Sequence, residues 1–224
     1  MKIGIVTWFN APNYGTFLQA YALQKFLMNE GFEADLINFK PNTFFYSDIR
    51  HILFSICPFL RKRNEYSNSK YIFQKSVNRA LKLSKRVTLK KCHKLNSCYD
   101  VFISGADQIW NPDGMYKTFY MLDFCEGKKC ISFSSSLGGN NIPDSEKNIY
   151  SNLLKKYSYI SVREESSRVI LEKLLDRKIE HLCDPVFLLS KEEWRKVAID
   201  TDLSKNKKYI FCYFLGFQDL NRLH

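Results

Sequence analysis

The sequence lacks the long apolar run that a membrane-spanning helix requires. About 20 consecutive apolar residues are needed to cross a bilayer, and no window of the chain approaches that length. The apolar start of the chain is also too short for a secretion signal, because Asn10, Pro12 and Asn13 follow it closely. A small-residue cleavage site is missing as well. We therefore expect a cytoplasmic protein.

The sequence also lacks the short motifs that identify most metal and dinucleotide sites. Its seven cysteines are scattered, none forms a CxxC pair, and the four histidines have no zinc-like spacing. Neither a GxGxxG fingerprint nor a P-loop is present. These patterns predict reduced, mostly buried thiols, no metal and no dinucleotide cofactor.

Acidic residues are nearly absent from one segment of the chain, residues 61–96. Of the 34 basic and 23 acidic residues, this segment holds 12 basic residues and one acid, Glu65, so 22 of each sign remain elsewhere. The whole net charge of +11 therefore originates in this segment. Its apolar and cationic residues alternate at helical spacing, which favours a solvated helix face. Docking on an anionic membrane surface is the second interpretation, and nucleic-acid binding is not expected.

What the sequence does contain is an alternation of strand and helix patterns. An apolar, β-branched run at 2–8 precedes a helical pattern at 17–31, and a second strand pattern follows at 32–40. This βαβ unit predicts a parallel sheet with right-handed crossovers. After a basic helical excursion at 44–98, strands are predicted at 99–105, 130–136, the start of 159–167, 179–187 and 209–216, with a short strand or turn at 119–124. Ser190 and Glu193 have the spacing of a helix capping box. The predicted fold class is α/β, a doubly wound parallel sheet.

The last predicted strand, 209–216, follows a polar linker and has no sheet of its own in this sequence. We therefore expect residues 1–200 to form one domain. Residues 201–224 are expected to be the linker and first strand of a second domain that is largely missing.

The first candidate binding loop is Asn13-Tyr14-Gly15-Thr16, between the first strand and its helix. Ligands of open parallel sheets bind beyond the carboxyl ends of the strands, where this loop is predicted to lie. Gly15 permits close backbone approach, and a helix N-terminus favours an anion. The alternative is an ordinary turn in which Asn13 and Thr16 cap the helix.

The second loop runs from Ser104 to Asn111 and includes Gly105, Asp107, Gln108 and Trp110. A tryptophan ring can stack on a sugar, and the carboxylate and amide can bind hydroxyl groups. The alternative is that Asp107 caps a helix and Trp110 belongs to the core.

Two further loops and one carboxylate complete the candidate site. Ser134 and Ser136 lie in a serine-rich strand end that suits phosphate or sugar contacts, or equally a plain turn. Arg163 follows a strand and precedes a helix, where it could bind a carboxylate or phosphate in bidentate fashion. Its alternative is a surface pair with Glu164. Asp184 ends the next strand and could orient the neighbouring loops or cap a turn.

Taken together and in order, these loops resemble the polysaccharide pyruvyl transferase family. The motifs are NYGTFLQAYAL, DVFISGADQIWNP, ISFSSSLG, YISVREESS and DPVFLLSKEEW, and the resemblance runs from residue 1 to about residue 216. It implies two Rossmann-like domains facing a cleft, as in two-domain glycosyltransferases of the B type. It also implies transfer of a pyruvyl group from phosphoenolpyruvate to a sugar of a surface polysaccharide, forming a cyclic ketal. Phosphoenolpyruvate is then a substrate, and no cofactor or metal is expected.

The resemblance assigns roles to some of these residues. Arg163 matches an arginine linked to phosphoenolpyruvate binding, while the first two loops fall on the acceptor side of the cleft. The family's general-acid histidine belongs to the second domain, so no catalytic residue is assigned and this chain alone is expected to be inactive. The expected partner is a sugar or lipid-linked saccharide, which places the protein in the cytoplasm or at the inner face of the membrane. The predicted substrate-binding residues are Asn13, Tyr14, Gly15, Thr16, Gly105, Asp107, Gln108, Trp110, Ser134, Ser136, Arg163, Glu164 and Asp184.

Two other functions stay open on the sequence. A glycosyltransferase with a nucleotide-sugar donor would have similar two-domain geometry. A non-catalytic sugar-binding remnant would fit a chain that holds one domain of two.

Overall fold

The computed structural model describes residues 1–41 and 65–198, and for residues 65–70 the helical backbone alone. The chain divides into two compact units, residues 1–189 and 190–224. In the described part, no helix is both long and apolar enough to cross a membrane. The predicted domain boundary near residue 200 and the strand predicted at 209–216 lie outside the described residues and stay predictions.

The first unit is built on a parallel sheet whose strands follow the order β2-β1-β3-β4-β5-β6. These strands are β1 (Lys2–Val6), β2 (Glu33–Leu36), β3 (Val101–Asp107), β4 (Lys129–Ser135), β5 (Ser161–Val162) and β6 (Glu180–His181). The predicted α/β, Rossmann-like fold is confirmed. Because the chain leaves β1 for β2 on one side and returns to β3 on the other, the switch point of the topology lies between β1 and β3.

Helices cover both faces of this sheet. Those of the first unit are α1 (Tyr14–Asn29), α2 (Glu65–Ala80), a 3-10 helix (Leu89–Ser97), α3 (Lys117–Tyr120), α4 (Asp144–Leu154), α5 (Glu165–Leu175) and a second 3-10 helix (Pro185–Leu188). Side chains alternate between the faces of a strand, so Val101 and Ile103 enter one core and Phe102 the other. Leu23 of α1 and Val77 of α2 pack in the core that contains Val101 and Ile103. The other core contains residues of α3, α4, α5 and the first 3-10 helix.

The described part of the predicted basic excursion, residues 65–98, lies along the outer edge of β2. The Leu36 amide donates to the Lys82 carbonyl and the Ser84 amide donates to the Leu36 carbonyl, both at 2.9 Å. A further parallel bridge joins Phe39 to Val87. Residues 82–87 therefore extend the sheet beyond β2, with α2 on one face and the first 3-10 helix on the other.

Three element boundaries differ from the sequence-based prediction. Helix α1 begins at Tyr14 rather than near residue 17, because the Asn13 side chain caps it. The strand predicted over 179–187 pairs only at Glu180–His181. Its remainder turns into the second 3-10 helix, since Pro185 has no N–H for a sheet ladder. Residues 119–124, predicted as a short strand or turn, contain the end of α3 and turns.

The described part of the second unit is a short helix, α6 (Lys191–Val197). The Glu193 amide donates to the Ser190 hydroxyl at 3.2 Å, and the Ser190 amide donates to the Glu193 carboxylate at 2.7 Å. The capping box predicted from these two residues is confirmed.

Candidate functional site

All four predicted loops lie at the carboxyl edge of the sheet. Asp107 of β3 is in register with Ser135 of β4, Ser135 with Val162 of β5, and Val162 with His181 of β6. Neighbouring strands are about 4.8 Å apart, so Asp107 and the end of β5 are separated by about 10 Å. The edge can therefore hold two ligand groups side by side.

The first two loops meet at the switch point between β1 and β3. The Thr16 hydroxyl donates to Oδ2 of Asp107 at 2.8 Å, and the Asn13 side chain accepts from the Thr16 amide at 3.2 Å. Asp107 has a φ of +71° and accepts the Gln108 amide on Oδ1 at 2.8 Å. It does not cap a following helix, as one interpretation of the sequence held. The carboxylate is held instead against the N-terminal turn of α1.

This arrangement changes the expected ligand of the first loop. The N-terminal turn of α1 contains no acidic residue of its own, and the Asp107 carboxylate already faces its positive dipole. A second anion would be repelled there, whereas a hydroxyl group could donate to Asp107. Tyr14, Gly15 and Gln108 are exposed around it. The switch point therefore suits a sugar hydroxyl better than a phosphate. We call Asp107, Tyr14, Gly15 and Gln108 the Asp107 subsite.

Arg163 lies at the end of β5 and is held by two carboxylates. Its Nε donates to Glu164 at 2.9 Å and its Nη1 to Asp184 at 3.1 Å. Burial of the guanidinium opposes its charge, but the two carboxylates outweigh this effect and raise the pKa of Arg163. Asp184 also accepts the Val186 amide at 3.0 Å and so caps the second 3-10 helix. Both interpretations of Asp184, orienting a loop and capping a turn, are thus fulfilled.

One amino group of Arg163 stays available to a ligand. The side chain is 26% exposed, and its Nη2 donates to no residue in the described ranges. The surface pair with Glu164 is present, yet it occupies only one edge of the guanidinium. We call Arg163, Glu164 and Asp184 the Arg163 subsite.

Sequence reasoning missed His181 and Glu165 beside this subsite. The ring Nε2 of His181 lies 3.0 Å from the Arg163 carbonyl, which can only accept, and Nδ1 lies 3.4 Å from the Glu165 carboxylate. His181 matches no motif and lies near the start of the strand predicted over 179–187, so no signal in the sequence indicated it. The ring ties β6 to the turn that carries Arg163.

Two predicted substrate-binding residues of the second loop are buried structural residues. Trp110 is completely buried, and its indole N–H donates to the Ser104 hydroxyl at 3.0 Å. The predicted stacking of Trp110 on a sugar is therefore wrong, and its placement in the core is right. At Gly105 an added Cβ would lie 2.1 Å from the Phe133 carbonyl oxygen. This glycine permits close approach of β4, not of a ligand.

The two predicted serines are also structural. Ser134 and Ser136 are completely buried. The Ser134 hydroxyl donates to the Cys183 carbonyl at 2.6 Å, and the Ser136 hydroxyl accepts the Gly138 amide at 3.0 Å. Their predicted contact with a phosphate or sugar is wrong, because both hydroxyls are satisfied by the backbone. The plain-turn alternative describes this loop.

Metal-binding side chains do not cluster at this edge: the described residues include no group of three or more His, Cys, Asp or Glu placed to hold an ion. The Asp107 and Arg163 subsites can bind hydroxyls and an anion without one. A family model described as polysaccharide pyruvyl transferase matches residues 13–224. No curated protein and no solved structure matches the chain.

Proposed function

The chain belongs to the polysaccharide pyruvyl transferase family, and from that premise we propose that it binds phosphoenolpyruvate and a saccharide for pyruvyl transfer. The acceptor is a sugar of a surface polysaccharide or its lipid-linked precursor. The observation that supports this proposal is the pair of subsites of opposite chemistry at one edge of the sheet. Asp107 supplies a carboxylate at the end of β3, and Arg163 supplies a guanidinium after β5, two strands further along the sheet.

The donor is proposed to bind at Arg163. Phosphoenolpyruvate carries a carboxylate and a phosphate, and a guanidinium forms charge-assisted hydrogen bonds to either. Glu164 and Asp184 fix the orientation of the guanidinium, and its Nη2 amino group contacts the ligand. Because Glu164 and Asp184 outnumber the single guanidinium, the subsite has a net negative charge and is by itself a weak anion site. We propose that further cations come from outside the described residues.

The acceptor is proposed to bind at Asp107. Its carboxylate accepts from the Thr16 hydroxyl and can accept from a sugar hydroxyl in addition, because each carboxylate oxygen has two lone pairs. The exposed amide of Gln108 and ring of Tyr14 can contact the same sugar. This assignment keeps the anionic donor away from the Asp107 charge.

In the proposed reaction, two sugar hydroxyl groups form bonds to one carbon, C2 of phosphoenolpyruvate. A general acid protonates C3 of the enol, which makes C2 electrophilic. One sugar hydroxyl adds to C2 and loses its proton. A second hydroxyl then attacks C2 and loses its proton as the C2–O bond to phosphate breaks, which releases inorganic phosphate and forms the ketal. We assign the general acid to no described residue and expect no turnover from this chain alone. Binding is therefore the first quantity to measure.

The test compares two arginines of the same local region. Arg163→Ala removes the proposed donor contact, whereas Arg168→Ala removes an equal charge from α5, where Arg168 pairs with Glu165 and Glu172. Titration calorimetry should show phosphoenolpyruvate binding weakened at least about tenfold by Arg163→Ala, the loss expected for a charge-assisted hydrogen bond. Arg168→Ala should leave the affinity unchanged.

Three outcomes would contradict the proposal. Equal weakening by both variants would mean that phosphoenolpyruvate responds only to total charge. Binding of a nucleoside diphosphate sugar without binding of phosphoenolpyruvate would indicate a nucleotide-sugar glycosyltransferase. Saccharide binding with no affinity for phosphoenolpyruvate would indicate a non-catalytic sugar-binding domain. Ketal formation by this chain alone would overturn only the expectation that it lacks a general acid.

A further inference from the structure

Exposed cations surround the β2 edge of the sheet, two strands away from Asp107 of β3. Helix α2 carries cations on one face, the bridging residues 82–87 carry them at the edge, and the first 3-10 helix carries them on the other face. The exposed members are Lys75, Arg79, Lys85, Lys90, Lys91 and Lys94. We call these residues the cationic edge.

The charge of the cationic edge is not compensated by its own segment. Residues 66–99 contain no aspartate or glutamate. The carboxylates of the adjacent strand β2 are already occupied, since Glu33 and Asp35 pair with Lys82 at 3.3 and 3.1 Å. Lys82 is therefore left out of the cationic edge. The remaining cations form a positive field that an anionic surface would attract.

Two large apolar side chains protrude among these cations. Ile72 of α2 is 55% exposed and Leu89, at the start of the 3-10 helix, is 41% exposed. Ile72 shares the outer face of α2 with Lys75 and Arg79, which follow at three and seven residues. Cations with protruding aliphatic groups are the pattern of a surface that settles into the interface of a bilayer.

We propose that the cationic edge docks the protein on an anionic lipid bilayer. Lysine supplies five of its six cations, and lysine acts as a point charge toward lipid phosphates. Nucleic acid is disfavoured because single strands are bound by exposed aromatic rings. Within the described edge, Phe73 packs against Phe17 instead. The docking does not depend on the proposed pyruvyl transfer, so either can fail alone.

The experiment is flotation of the 224-residue chain with two kinds of vesicle. One contains equal parts phosphatidylglycerol and phosphatidylcholine, and the other contains phosphatidylcholine alone. The edge variant reverses three lysines, Lys90→Glu, Lys91→Glu and Lys94→Glu. The control variant makes the same change in net charge at exposed lysines elsewhere, Lys129→Glu, Lys155→Glu and Lys173→Glu.

We expect binding to the anionic vesicles only, reduced at least about tenfold in the edge variant and no more than about threefold in the control. A second variant, Ile72→Ser with Leu89→Ser, tests insertion without changing charge. It should bind normally at low salt and lose the binding that persists at high salt, because screening leaves only the apolar contribution. Circular dichroism confirms that each variant is folded.

Several results would overturn the proposal. The chain could fail to bind anionic vesicles, or the edge and control variants could lose binding equally, which would show attraction by total charge. Tighter binding of an RNA or DNA oligonucleotide than of vesicles, sensitive to the same three lysines, would assign the surface to nucleic acid.

Discussion

Gly105→Ala is predicted to be severely destabilising because β3 and β4 approach closely at this position. The added Cβ would lie 2.1 Å from the Phe133 carbonyl oxygen and 2.9 Å from its carbon, whereas real Cβ contacts almost never fall below 3.0 Å. Both contacted atoms are backbone, so no side-chain rotation can relieve the clash. The strands would have to separate by about 0.9 Å, the difference between the 2.1 Å contact and the 3.0 Å limit.

The cost follows from what that separation breaks. Gly105 and Phe133 are in register, so widening the sheet there stretches the ladder of hydrogen bonds between buried strands. Two buried backbone groups left without partners cost about 4 kcal/mol in total. For a chain of this size, the corresponding fall in Tm is about 10 °C. Since Asp107 follows two residues later, saccharide binding at the Asp107 subsite should weaken as well.

Urea unfolding followed by circular dichroism measures the free energy of unfolding. Two glycines serve as controls. Gly139→Ala should change it by less than about 0.5 kcal/mol, because nothing lies within 4 Å of the added Cβ. Gly127→Ala meets no atom either, but its φ of +63° should cost about 1 kcal/mol. A Gly105→Ala protein within about 1 kcal/mol of the parent would refute the reasoning.

Two further predictions concern a cap and a thiol. Asn13→Ala should lower the free energy of unfolding by about 1 kcal/mol in the same urea assay. Asn13→Ser can still cap α1 and should be nearly neutral. Equal losses from the two variants would show that the cap contributes nothing. The Cys130 thiol donates to the Cys125 sulfur at 3.0 Å and lowers the pKa of Cys125. Cys125 is buried, so its alkylation by iodoacetamide, mapped by mass spectrometry, should be slow, and it should rise with pH because the thiolate is the nucleophile. Cys130→Ala should slow the reaction at pH 7, and an unchanged rate would contradict the hydrogen bond.

The central part of the sheet could be predicted from the sequence because β1 and β3 are buried on both faces and β4 is buried on one face and partly buried on the other. Strands β1, β3 and β4 are continuous runs of apolar and small residues, the pattern typical of a parallel sheet. The pattern at 179–187 looked similar but pairs over two residues only. Local hydrophobicity does not show where a neighbouring strand ends, and β5 offers only Ser161–Val162 as a partner.

The candidate site was predictable in position but not in the role of each residue. The loops had to converge because parallel strands share one carboxyl edge. Sequence could not show that the Ser134 hydroxyl would meet a carbonyl 49 residues away, or that Trp110 would turn inward onto Ser104. A polar side chain satisfied by the distant backbone has the same sequence signature as one that waits for a ligand. Burial alone separates the two.

The pairing of residues 82–87 outside β2 also bears on self-association. An open strand edge presents unpaired N–H and C=O groups that can recruit a strand from another molecule. Here Leu36 is already bonded on its outer side to Lys82 and Ser84. At the opposite end of the sheet, β6 pairs over two residues, too few to template an intermolecular ladder. The lysines that flank the covered edge add repulsion between like molecules. We therefore expect concentrated solutions of the first unit to resist edge-to-edge aggregation.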